Sequence, residues 1–147
     1  NHEIANHTYT HPYITGIRSS KLEEEILMTQ KAIQSITGKK TTLFRPPGGR
    51  FNHRILKVVK ETNHQMILWT WDQDTRDWSR PGVHRIVKKV VKNISNGDIV
   101  LFHDTNSQTV RALKSIIPVL KKEGYKMVTV SELLKNDRSK KKKFRFF

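Results

Sequence analysis

The stretch "TTLFRPPGG", residues 41–49, decides the fold. Leu43 and Phe44 follow two threonines and read as a short buried strand. Arg45 breaks the apolar run, and Pro46, Pro47, Gly48 and Gly49 stop it in a stiff turn. The prolines restrict the backbone there, and the glycines let it approach a ligand closely. In a parallel α/β fold the C-terminal ends of the strands form one face, and sites are built on it.

Working outward, short apolar runs alternate with amphipathic stretches. The other strand candidates are 2–6, 65–71, 98–103 and 126–130, with 42–45 the strand of the opening stretch. Between them the pattern predicts five helices. The first is capped by Ser19 or Ser20 and runs to Ile36, with Leu22, Ile26, Ala32, Ile33 and Ile36 at helical spacing and Gly38 after its end. The second covers 54–62, with Ile55, Leu56, Val58 and Val59 apolar. The third starts at Pro81 and runs to about Asn96, with Gly97 beyond it. The fourth covers 109–123 and stops at Gly124; the fifth is a short one over 132–135, capped by Ser131. Strict alternation predicts α/β architecture with a parallel sheet, open or closed into a barrel.

The chain has 147 residues, which suits one domain, expected over 1–135. From Asn136 the sequence "NDRSKKKKFRFF" has no apolar period and four consecutive lysines, and reads as a basic tail over 136–147. Lys and Arg number 28 against 13 Asp and Glu, a formal net charge of +15. That balance favours an anionic partner: nucleic acid, a membrane surface or an acidic cell-wall polymer. No apolar run approaches the ~20 residues that span a bilayer. There is no cysteine, so disulfides and thiolate metal sites are excluded and a transition metal has to be held by His and carboxylate.

Four of the five strand ends carry residues suited to chemistry. The first ends in "NHTYTHP" (6–12), with His7 and His11 four apart. On a helical turn two imidazoles at that spacing lie on one side and can bind one ion, with zinc or another divalent metal in a hydrolytic role the natural occupant. The alternative is a pair of capping or solvent-facing histidines. The second ends in Arg45, whose guanidinium can orient a buried carboxylate through a bidentate bond, or simply face water. The third ends in "WTWDQDTRDW" (69–78), where Asp72, Asp74 and Asp77 precede Trp78; a carboxylate there can favour a neighbouring imidazolium, or the loop carries solvated charges. The fourth ends in "LFHD" (101–104), which puts His103 at the tip of an apolar strand, as a general acid or as a satisfied core histidine.

Together these segments resemble the polysaccharide deacetylases of carbohydrate esterase family 4, the NodB-homology domain, over residues 1–135. The family's H-[ST]-x-x-H motif is matched by His7-Thr8-Tyr9-Thr10-His11, and its R-x-P motif with a following Gly by Arg45-Pro46-Pro47-Gly48. Its D-x-x-D-W is matched by Asp74-Thr75-Arg76-Asp77-Trp78, and its L-x-H by Leu101-Phe102-His103. The resemblance implies a distorted, incomplete (β/α) barrel and hydrolysis of N-acetyl groups from N-acetylglucosamine polymers such as peptidoglycan or chitin. It implies His7 and His11 as ligands of a divalent metal, most readily zinc. Arg45 would orient the catalytic base, and Asp77 would tune His103 as general acid. Trp78 and Leu101 would wall the acetyl pocket, with Pro47 and Gly48 also in contact with substrate.

Two departures stand out. The family's first motif, T-F-D-D-G, which brings the base and a third metal ligand, has no counterpart in these residues, so its strand and helix are expected to lie upstream of His2. Gly48 stands where many members carry Tyr or another large residue, which opens that side of the cleft. The resemblance therefore implies an enzyme that needs an N-terminal part, present upstream or as a complementing fragment. A dimer is a further expectation, since an unpaired strand edge invites pairing. The other readings are an inactive remnant that binds metal or glycan, and a basic nucleic-acid-binding protein, which no helix with an Arg and aromatic reading face supports. The family and its substrate imply an extracellular or wall-associated location.

Overall fold

The computed structural model describes residues 2–138, which fall into two compact units that divide between Leu68 and Trp69. In the first unit, β1 (Leu43–Phe44) pairs in parallel with β2 (Gln65–Met66), Leu43 opposite Gln65 and Phe44 opposite Met66. On the other side of β1, Asn6 forms a parallel bridge with Phe44. The Asn6 amide donates to the Leu43 carbonyl at 2.8 Å, and the Arg45 amide to the Asn6 carbonyl at 3.0 Å. Residues 6–7, 45–49 and 67–68 thus follow one another at the same end of three parallel segments.

Helices α1 (Ser19–Thr37) and α2 (His53–Glu61) make the crossovers. They bury Leu22, Ile26, Ile55, Val58 and Val59 with Ile14 and Phe44. At 25 cal/mol per Å² of apolar area, each such side chain contributes roughly 1.5–3 kcal/mol. Asn52 caps α2, its side chain accepting from the Ile55 amide at 3.0 Å. The expected serine cap of α1 is not formed: Arg18 holds the N-cap position without a side-chain bond. Gly38 ends α1 in the left-handed region, φ 71°, as expected. Ile36, assigned to the core by its spacing, is 84% exposed. It lies a turn beyond the part of α1 that the core covers, so its periodicity continues past the surface it would pack on.

In the second unit, α3 (Val83–Asn93) packs against α4 (Ser107–Lys122). Ile86, Val90, Ala112, Ile116 and Leu120 form its core. Asn106 caps α4 by accepting from the Gln108 amide at 3.0 Å. Helix α3 begins two residues after Pro81 and ends at Asn93 rather than Asn96, because Ile94 turns extended. Gly97, φ 93°, serves a later turn in which Asp98 accepts from the Ser95 amide at 2.7 Å. Helix α5 (Val130–Arg138) is longer than expected; the Thr129 hydroxyl, not Ser131, meets the Glu132 amide at its start. Arg138 is thus still helical, and the rest of the expected basic tail lies outside the described residues.

The strand expectations are met in part. Of 98–103 only a parallel bridge, Asp74 to Leu101, forms, and around it the Thr70 amide donates to the Ile99 carbonyl at 3.0 Å and the Leu101 amide to the Gln73 carbonyl at 3.1 Å. Residues 126–129 form no ladder among the described residues, and Met127 and Val128 are largely exposed. A β-prone run stays extended coil when no partner strand meets its amides.

Candidate functional site

The histidine loop belongs to the first unit. It is not a helical turn, contrary to the reading from i, i+4 spacing: residues 7–11 contain no helix. Thr8 and His11 instead adopt left-handed backbone, φ 67° and 55°. For a β-branched residue such as Thr8 that conformation is strained, on the order of 1–3 kcal/mol. It brings the two imidazoles together all the same, with ring centroids 5.1 Å apart and planes at 69°.

The loop is held from α1. Glu25 is 1% exposed. Its Oε2 accepts from the Tyr9 amide at 3.0 Å and the Thr10 amide at 2.7 Å, and its Oε1 from the Thr10 hydroxyl at 2.9 Å. Burial alone would raise its pKa; the two Thr10 bonds, the Tyr9 amide and the charge of Lys21 outweigh it and hold the carboxyl below its ordinary value. Asn6, fully buried, accepts from the Thr8 amide at 3.1 Å and donates to the Ile26 carbonyl at 2.9 Å.

His7 Nδ1 donates to the Arg45 carbonyl at 2.6 Å. A carbonyl can only accept, so the proton sits on Nδ1 and the lone pair on Nε2, the arrangement that ligating histidines adopt. An imidazole so arranged, beside a second ring 5.1 Å away, suits zinc as one of a pair of donors. Among the described residues no group of three His, Cys, Asp or Glu converges, so the pair fits part of a divalent metal's ligand set and leaves the rest to other donors.

Arg45 follows β1 and is half-buried. Burial lowers its pKa, and no carboxylate of the described residues forms an ion pair with it. The expected bidentate partner is therefore not among them. Pro47 is buried, and Gly48 is exposed at φ 62° with open space where a side chain would start. A larger residue would find room there but an unfavourable backbone, which glycine tolerates.

The second group of residues lies wholly in the second unit. Asp77 opens a 3₁₀ turn, Asp77–Ser79, and is fully buried. Its Oδ1 accepts from His103 Nδ1 at 2.8 Å. Its Oδ2 accepts from the His103 amide at 2.8 Å and the Thr109 hydroxyl at 2.6 Å. Burial would raise its pKa, but the bonds from Thr109 and from the His103 amide and ring prevail and hold it below the ordinary carboxylate value. Asp77 therefore accepts, which puts a proton on His103 Nδ1 and leaves Nε2 on the far side of the ring; the side chain is 31% exposed. The Asn106 amide group donates to the Asp77 carbonyl at 3.0 Å, so the cap of α4 also fixes this turn.

Leu101 is 5% exposed, and its carbonyl accepts from Thr75 at 2.8 Å. Trp78 is 58% exposed. Asp74 does not join the pair; its carboxylate receives the Arg76 amide at 3.0 Å in a local turn. Sequence reasoning placed all the named side chains at strand ends but missed Glu25, Asn6, Asn106 and Thr109. Glu25 had a legible signal: it stands three residues after Leu22 and one before Ile26, on the apolar face of α1, where a carboxylate requires partners.

The first unit thus carries two imidazoles and an arginine on residues that follow its parallel segments, and the second a buried Asp–His pair. Residues 1–67 match the family model for polysaccharide deacetylase. Over 137 residues, 91% of this chain and 64% of the relative, it is 52% identical to a peptidoglycan-N-acetylglucosamine deacetylase of Bacillus cereus. Among solved structures it is similar to a carbohydrate esterase family 4 pseudoenzyme from Bacillus anthracis, with 36% identity, a TM-score of 0.83 and 90% of this chain on 46% of that one. It is also similar to peptidoglycan deacetylase PdaC from Bacillus subtilis, with 31% identity, a TM-score of 0.83 and coverage of 92% and 64%. The N-terminal residues thus carry a polysaccharide deacetylase domain, the relatives and solved structures that the chain resembles include members of carbohydrate esterase family 4, and its fold class is their distorted α/β barrel, of which it spans part. It covers 64%, 42% and 27% of the lengths of three curated relatives that it matches.

Proposed function

We propose that this chain is part of a metal-dependent enzyme that removes N-acetyl groups from an N-acetylglucosamine-containing polysaccharide, peptidoglycan or a chitin-like polymer. His7 and His11 would hold a divalent ion, most readily zinc, which when bound polarises the acetyl carbonyl and acidifies a water. The observation that carries the reading is the Asp77–His103 pair, with its 2.8 Å bond and buried carboxylate. Asp77 orients the ring; protonated Nε2 then gives its proton to the amine as the C–N bond breaks, while water supplies the oxygen of the acetate formed. Trp78 and Leu101 would line the acetyl pocket, and Pro47 and Gly48 would be substrate-binding residues.

Arg45 supports a further part of the reading. A half-buried guanidinium without a carboxylate among the described residues is suited to orienting a base brought by a segment outside them. Residues 1–135 would form the catalytic part and the basic tail would bind anionic wall polymer, in an extracellular or wall-associated protein. A complementing fragment or a second copy would be its protein partner. Acetate release from a chitin oligomer with added zinc, by a longer chain that supplies the base, tests the reading. Loss of turnover in His103→Ala and in His11→Ala supports it, and unchanged turnover in either removes that residue's role.

A second reading has its own support. The likeness to a family pseudoenzyme, together with only two converging metal donors among the described residues, favours a protein that binds metal or glycan without turnover. Zinc binding with no acetate release, even from a longer chain, would select it.

A further inference from the structure

We propose that Glu25 is a positioning residue for metal binding: it sets the spacing of His7 and His11 from a helix that carries neither. The inference rests on the reading of those histidines as metal ligands. Between the two histidines lie three backbone amides, and each is held by a side chain. Asn6 takes the Thr8 amide, and Glu25 takes those of Tyr9 and Thr10. Thr10 adds its hydroxyl to the other oxygen of the same carboxylate.

No helix imposes the spacing here, and the backbone leaves ordinary conformations at Thr8 and His11. An untethered loop of five residues would relax, and the rings would part. Metal donors must sit within about 0.5 Å of their working positions, and groups that hold ligands in place typically change affinity 10–100-fold when removed. Glu25 touches neither ring, so its effect runs through the backbone alone.

The test is zinc titration of the 147-residue chain by calorimetry, with urea unfolding alongside. Glu25→Gln takes the charge away from both backbone amide bonds and puts an NH₂ where the Thr10 hydroxyl had an acceptor; it should weaken zinc binding about tenfold or more. Thr10→Val keeps the carboxylate and removes only the hydroxyl bond; it should show a smaller loss, which Thr10→Ser restores. It also carries the test if Glu25→Gln does not fold. Glu24→Gln, at an exposed neighbouring position, should bind as the parent does. Parent-like affinity in folded Glu25→Gln, or in Thr10→Val, overturns the proposal. Parent binding that survives His11→Ala, or no binding by the parent at all, brings down the ligand reading itself and this role with it.

Discussion

Two carboxylates, one in each unit, show two ways in which a buried acid can serve an imidazole. Asp77 bonds a histidine ring directly, and Glu25 bonds only the backbone between two histidines. Both are buried, both collect three short hydrogen bonds, and both lie below their ordinary pKa although burial pushes the other way. The difference is in what each controls. Asp77 decides which nitrogen of His103 holds the proton. Glu25 decides where two rings stand. Removing the first should damage proton transfer, and removing the second should damage metal affinity.

The largest expected effect sharpens that contrast. In a longer chain that supplies the base, Asp77→Asn and His103→Ala should each lower kcat about 10²–10⁴-fold, since each removes an oriented proton donor. Glu25→Gln at saturating zinc should keep most of kcat. Acetate release under both zinc conditions measures this; equal losses in the two carboxylate variants would erase the distinction. Residues 1–147 alone should release no acetate, and robust turnover would show that an acid among them serves as base.

Stability should separate the two next. Asp77→Ala leaves the buried Thr109 hydroxyl without its acceptor and should cost roughly 3 kcal/mol, hydrogen bonds to charged groups being worth about 1.5–3 each. Glu25→Ala should cost less, roughly 2 kcal/mol, because Tyr9 and Thr10 are exposed and water can reach their amides. Urea midpoints at constant m-value decide the order.

Acid should then weaken both contacts together. A carboxyl whose folded pKa lies below its unfolded value binds fewer protons when folded. Its stabilisation is present above the unfolded value, about 4, and is lost as pH falls through the folded one. Unfolding free energy should fall below pH 4, less steeply in Asp77→Asn. A variant with the parent's slope would remove Asp77 from the acid response. The smallest effect concerns charge alone: deleting 139–147 removes Lys140–Lys143 and Arg145 and should reduce salt-sensitive binding to an anionic wall polymer. Binding that ignores salt would remove the electrostatic role.

The sequence by itself determined the α/β class and the grouping of polar residues. Apolar runs alternating with amphipathic helices leave few topologies, and Arg45, Asp77 and His103 stand beside strand-like residues where a parallel fold collects its chemistry. The Asp77–His103 partnership was legible only through the family resemblance that D-x-x-D-W and L-x-H carry, since the two residues stand 26 apart in sequence. Only the tertiary structure decided how His7 and His11 meet. Spacing alone pointed to a helical turn, whereas the pairing depends on left-handed backbone held by Glu25, distant in sequence. Contacts that close such a loop are long-range, and a local pattern carries no information about them. The same reason explains Arg18 in place of the serine cap, the exposed Ile36 and the unformed fifth strand: propensity proposes an element, and the partner across the fold determines whether it forms.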